Sequence, residues 1–395
     1  MSKMPELEMT PRERFKRVMN FRKADQLPWI EMQLGDATTS KWMREGLPIE
    51  HVVRTSYDVQ NGGAILIIGP GPYAFDVSRY FGFDLLNDSD RDLQIDLGPL
   101  PRHVPKILEQ DGDRTLLNDS LGGKIQYRGL YYSMPHFVDF PVKTLNDWKV
   151  YKKRFDPADP RRYPKDYSSE EYIEKFESSA LPTSLMVTGF YALGRALMGT
   201  ASFVPAFYTN PELIHDMMNT YGDFLAEVYR EAVETLKSRI DWVFWHEDLS
   251  SGSGPNISPK LYKEFILPNL KKVTSLFNKN GIDLIIIDTD GDPRALMPLL
   301  WEGGIRGMWP LEVAAGMDVV DLRKKLGRTW RLLGNIDKRV LGQGKEAIKR
   351  EIDSKVPYMK EEGGYAVGLD HEAPGDVSLE NFTFYADYVK GRAKY

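Results

Sequence analysis

From residue 181 onward, apolar runs of strand length alternate with amphipathic segments of helix length. TSLMVTGF precedes a helical period at about 210–238, DWVFW one at about 258–280, and DLIIID one at about 293–303. IRGMWP leads to a helix at about 316–326, WRLLGNI to one at about 337–361, and YAVGLD to the C-terminal helix. Continuous apolar strands separated by helices predict a parallel sheet covered on both faces. Near the start, MTPRERFKRVMNFRKADQLPW offers a Thr cap, Pro11 and a helical period through Phe15, Val18 and Met19. That helix is expected to end near Asp25, with a strand over LPWIEM (27–32) after it. At least seven βα units close most economically as a (β/α)8 TIM barrel, an α/β fold that makes residues 1–395 one domain. An open doubly wound sheet is the main rival. No G-x-G-x-x-G or P-loop follows any strand, which weakens its usual cofactor arguments.

Residues 60–165 break the rhythm. Gly-Pro clusters such as IIGPGPYAFD and short alternating runs such as KIQYRGLYY predict an inserted elaboration of hairpins and loops. KKRFDPADPRRYPKD (152–166) reads as a connector rich in proline and charge.

Composition narrows the chemistry. A net charge of −5 gives no polyanion-binding surface, so nucleic acid is not an expected partner. No apolar stretch approaches the ~20 residues of a membrane span. The charged opening MSKMPELEMTPRERF lacks a signal-peptide core, so the expected location is cytoplasmic. Cysteine is absent, which excludes disulfides, thiolate nucleophiles, Fe–S clusters and sulfur-ligated zinc. The 20 Tyr, 18 Phe and 8 Trp suit a roomy pocket and suit an ordinary core equally.

In a barrel the active site lies at the carboxyl ends of the strands. LPWIEM ends there with Glu31 and Gln33, and TSLMVTGF with Phe190 and Tyr191. DWVFW gives His246, Glu247 and Asp248, and DLIII gives Asp288, Asp290 and Asp292. Glu312 follows GMWP; Asn335 and Asp337 end WRLLGNID; Asp370, His371 and Glu372 end AVGLDHE. Any single strand-end Asp is as well explained as a helix cap, and Asp292 before Pro293 and Asp337 are the clearest instances. Together, crowded carboxylates repel unless a cation, a proton or a basic ligand sits among them. His246, His371, Asp288 and Asp290 have the ligand types of an oxygen- and nitrogen-coordinated zinc. His51, His103, His136 and His215 fall in loops or on helix surfaces.

TPRERFKRVMNFRKADQLPW, ISPKLYKEFILPNLKKV (257–273), DLIIIDTDGDP and LRKKLGRTWRLLGNID (322–337) together resemble the uroporphyrinogen decarboxylase superfamily. The resemblance covers the first 35 residues and nearly everything after 181. It implies a (β/α)8 barrel, and either a porphyrinogen decarboxylase or a cobalamin-linked methyltransferase such as an O-demethylase component. The decarboxylases carry an arginine-rich clamp after the first strand; EMQLGDATTSKW has none here. A substrate with many carboxylates would also meet an acidic rim. Thiol methyltransferases of the superfamily hold zinc with His-x-Cys and a second Cys, and at those places stand Asp288, Asp290 and His371. The resemblance thus implies a corrinoid-dependent methyltransferase. It would move a methyl group between a small methylated substrate (a methyl ether or methylamine) and cobalamin on a partner protein, with zinc and a homodimer left open. The expected roles are catalytic for His246, Asp248, Asp288, Glu312 and His371, substrate-binding for Trp29, Glu31, Phe190, Tyr191 and Asn335, and metal-binding for Asp288, Asp290 and His371. The rivals are a decarboxylase or lyase for another acid, with Arg195 near the carboxylate, and a non-catalytic protein that binds a cationic ligand.

Overall fold

The computed structural model describes residues 9–395 apart from 33, 35, 49–76, 78, 79, 85–91, 94 and 129–134. Gln33, His51 and IIGPGPYAFD therefore lie outside the described residues. The strands are β1 (Asp92–Leu93), β2 (Lys106–Asp111), β3 (Arg114–Asn118), β4 (Lys124–Arg128), β5 (His136–Asp139), β6 (Ser184–Thr188) and β7 (Trp242–His246). They continue with β8 (Ser250–Ser251), β9 (Gly254–Pro255), β10 (Ile285–Asp288), β11 (Gly307–Trp309), β12 (Arg331–Leu333) and β13 (Tyr365–Ala366).

Seven of them form one sheet in the order β1-β6-β7-β10-β11-β12-β13. Every neighbour is parallel. Chain order equals spatial order, which is the barrel's signature as opposed to a doubly wound sheet, where the order reverses. Beyond β13, Trp29 bridges Val367 in parallel. LPWIEM is thus the eighth stave, held by Ile30 N–H on the Val367 carbonyl and Val367 N–H on the Pro28 carbonyl, both 2.9 Å. Among the described residues no ladder joins β1 to Trp29, although Asp84 N–H donates to the Trp29 carbonyl at 2.9 Å. In β10 all four side chains are buried, as a strand walled by barrel interior and helices requires.

The elaboration contains the expected hairpins: β2-β3-β4-β5 make a four-stranded antiparallel sheet. At the amino ends of the staves lies the helix Pro11–Met19, begun by a reciprocal capping box between Thr10 and Glu13. It stops six residues before Asp25, because Asn20 caps it and Phe21 turns to a left-handed φ of 56°. Its Phe15 packs on Trp242 at 5.8 Å and plugs that end of the barrel.

Helices Pro211–Leu236, Val319–Leu326, Lys345–Glu362 and Leu379–Ala393 fall where the apolar period places them. The expected helix at 258–280 is interrupted by a π-turn at Tyr262–Ile266. The one at 293–303 is a 3-10 turn followed by Met297–Glu302. Two further helices, Phe190–Met198 and Thr200–Thr209, occupy the region after Tyr191. No helix among the described residues is long and apolar enough to cross a membrane.

Glu31 is structural. Its Oε1 accepts from the Trp29 indole at 2.7 Å and the Tyr385 hydroxyl at 2.5 Å, and its Oε2 from Leu369 N–H at 3.1 Å. Three segments distant in sequence are joined by one carboxylate. Burial pushes that carboxyl up to about 7, against the pull of its three donors. The folded state therefore holds a proton that the unfolded chain has already released. The resulting stability is full below the unfolded value and is lost as pH rises toward 7. Urea titrations at several pH values are expected to show the wild type losing stability over that interval, whereas Glu31→Gln, which cannot titrate, lacks this component.

Candidate active site

Parallel register sets the site's geometry. β6, β7, β10 and β11 align so that Thr188, His246, Asp288 and Trp309 stand level at their carboxyl ends. His246 and Asp288 are direct partners in adjacent strands, and alternation points both toward the same face. His246 Nδ1 lies 2.8 Å from Asp288 Oδ2, with both side chains buried. With Nδ1–H donating to Asp288, Nε2 faces away from it, an acceptor in the neutral ring and a donor only in the imidazolium. Near Nε2 lies Asp248 Oδ2, at 4.0 Å, and Asp248 is itself clamped by Arg195. Burial opposes charge on the imidazole, but the hydrogen bond and charge of Asp288, helped by Asp248, outweigh it and raise the His246 pKa. Burial likewise pushes Asp288 up, against the pull of His246. Both directions mean that the pair keeps its proton to higher pH than free groups would.

A second pair lies further out. His371 Nε2 is 3.7 Å from Asp290 Oδ2, and both side chains are about one-third exposed, at 31% and 38%. Burial resists ionisation here too. It is outweighed on Asp290 by His371 and Lys338, which hold the carboxyl low, and on His371 by Asp290, which holds the imidazole high.

The other rim acids organise backbone. Glu312 accepts from Gly291 N–H at 2.9 Å and faces Lys338 at 3.6 Å. Asp370 receives Val313 and Lys338 N–H groups, each at 2.9 Å. Asp292 accepts from Arg294 N–H and pairs with its guanidinium, and Asp337 does the same for Arg339. Asp337 is the cap expected of it, whereas Asp292 stands one residue before the N-cap Pro293 and closes a turn instead.

Five expected substrate contacts are committed to the interior instead. Trp29 and Glu31 bond each other. Phe190 and Tyr191 have no exposed surface and pack on Trp245 and Phe203. Asn335, at φ 70°, ties Val319 N–H to the Leu311 and Met317 carbonyls. The polar groups of Trp29, Glu31 and Asn335 and the rings of Phe190 and Tyr191 serve the fold.

The three groups expected to hold zinc are also divided. Asp288 is taken by His246, while Asp290 and His371 take each other. Among the described residues no three His, Asp or Glu side chains are grouped to hold a metal ion. As arranged, these donors do not fit one.

Glu247 has a role that its place at a strand end does not disclose. It has no exposed surface, and it accepts from Phe190, Tyr191 and Ala192 N–H groups and from the Trp245 indole. It thereby caps, from another strand, the helix that starts after Gly189. A Cβ on Gly189 would strike the Glu247 carboxylate. The only local signal was that Glu247 alternates away from His246 and toward the helix layer.

Comparison with known proteins agrees with this architecture. A family profile for uroporphyrinogen decarboxylase (URO-D) matches residues 112–392. Uroporphyrinogen decarboxylase from Aliivibrio salmonicida is 25% identical over 199 residues, 47% of this chain and 51% of its own length. The chain thus spans about half the length of the first relatives it matches. The enzyme of that name from Legionella pneumophila is 25% identical over 306 residues, covering 75% of this chain and 81% of its own. A methyltransferase from Methanosarcina mazei shares the fold, with a TM-score of 0.61 at 15% identity over 97% of this chain and 99% of that one.

Proposed function

The chain belongs to the uroporphyrinogen decarboxylase family, and we propose that it is a methyltransferase that demethylates a small methyl ether or methylamine with His246 as general acid. One observation carries this reading: an imidazole fixed through Nδ1 by the buried Asp288, whose protonated form presents Nε2–H as an acid. The likeness of fold to the Methanosarcina mazei methyltransferase supports it. So does the state of the arginines at this end of the barrel. Arg195, Arg294 and Arg339 are each paired with an aspartate, so none is offered to a substrate with many carboxylates.

A corrinoid carried by a partner protein would supply the nucleophile that accepts the methyl group. As the carbon–heteroatom bond breaks, its electron pair stays on the oxygen or nitrogen, which takes the proton from His246 Nε2. Asp288 holds the ring in place throughout. His371 and Asp290, nearer solvent, return a proton to the site. Trp309, level with Asp288, packs on Phe244 at 5.6 Å and offers an apolar wall for the methyl donor.

The test is a mixture of the protein with reduced cobalamin and a panel of aryl methyl ethers, methylamines and betaines, followed by the absorbance change that accompanies corrinoid methylation. Transfer from at least one donor is expected, and silence across the panel contradicts the reading. The decarboxylase reading, favoured by the named relatives, predicts release of carbon dioxide without a corrinoid in the same vessel. With an active donor, the rate should fall as pH rises through the elevated His246 pKa, because the acid form is consumed. Asp288→Asn removes the charge that raises it, so the midpoint of this alkaline limb should move down.

A further inference from the structure

The opposite end of the barrel holds a cavity of about 360 Å3 at the amino ends of the strands. Arg306 immediately precedes β11 and Arg331 begins β12, and both residues line it. Arg306 donates from Nη1 to the Trp301 and Ile305 carbonyls at 2.9 and 2.8 Å, and lies over the Trp301 ring at 4.3 Å. Arg331 donates from Nε to the Met19 carbonyl at 2.9 Å and from Nη1 to Thr329 at 3.1 Å. Backbone and rings fix both side chains, yet among the described residues neither forms an ion pair with a carboxylate. Two acids line the same cavity. Asp241 is neutralised by Arg12 at 2.7 Å and Lys16 at 3.1 Å, and Asp283 is exposed and acts on Arg306 only at longer range. Both arginines are partly buried, and burial, with a smaller contribution from Arg306, makes Arg331 less basic against the opposing charge of Asp283.

Arg331 N–H donates to the Arg306 carbonyl at 3.0 Å, so the two restrained guanidiniums, neither with a carboxylate partner, start from neighbouring positions in a concave site, and their forked donors match oxyanion geometry. We infer that this cavity binds a phosphate group between Arg306 and Arg331, remote from the His246 site. The group's source is either inorganic phosphate or a small phosphorylated metabolite, which the volume admits.

Calorimetric titration of the full chain with inorganic phosphate, and separately with glycerol phosphate, distinguishes the two sources. Saturable one-to-one binding is expected. Arg306→Gln should weaken it about tenfold or more by removing a charged donor. Asp283→Asn should tighten it by about threefold by removing a nearby like charge. Absence of saturable binding by both ligands overturns the inference, as does binding that neither variant alters. If Arg306→Gln does not fold, the Asp283→Asn affinity decides alone: no gain overturns the site.

Discussion

His246→Asn is expected to lower methyl transfer from an unactivated ether by about 10²–10⁴-fold, the usual contribution of a positioned general acid. Asparagine is the informative replacement. Its amide can still donate to Asp288, so the buried carboxylate keeps a partner, while the Nε2 proton is gone. The loss should fall on kcat with little change in KM, since the proton moves only as the bond breaks. Retained folding is checked by an unchanged urea midpoint. Loss of the outer pair through His371→Gln should likewise cost little stability. That contact spans 3.7 Å between side chains that are partly exposed, and such pairs contribute only about 0–1 kcal/mol.

Glu247→Ala is expected to destabilise the protein by roughly 4 kcal/mol, among the largest effects a single substitution produces. The carboxylate receives three backbone N–H groups from the first turn of Phe190–Met198 and one indole N–H, all buried. Burial pushes its pKa up, and those donors pull it back. Removing it leaves four buried donors without their acceptor at the positive end of a helix. Gly189→Ala offers an independent route to the same defect. The glycine's φ of −80° suits any residue, so the only penalty is the Cβ driven into Glu247. Denaturant melts of both variants should therefore show large losses; a loss under about 1 kcal/mol in Glu247→Ala would mean that the cap is dispensable.

The barrel was legible because its staves are continuous apolar runs, and a run such as IIID buried on both faces leaves little choice of environment. The division of labour in DTDGDP was legible too. Asp288 and Asp290 project alike and each meets a histidine, while Asp292 turns to Arg294. Pairing was the part that residue order hid. His246 and Asp288 are 42 positions apart and meet only because β7 and β10 are neighbours in register. The helices Phe190–Met198 and Thr200–Thr209 escaped notice because Gly199, at φ 72°, splits a mostly apolar stretch into two short pieces without a clean polar face. Glu31 and Asn335 looked like ligands for substrate because polar residues at strand ends usually face solvent. Their partners, Tyr385 and Val319, come from helices that the local pattern does not connect to them.

The central claim is that His246 protonates the departing heteroatom. The most direct measurement is the dependence of the methyl-transfer rate on leaving-group acidity, across a series of substituted aryl methyl ethers, for wild type and His246→Asn. A protonated leaving group needs little help from its substituents, so the wild type should show a shallow slope and the variant a steep one, with the two rates converging for the most acidic phenols. Parallel slopes in the two proteins would contradict the account.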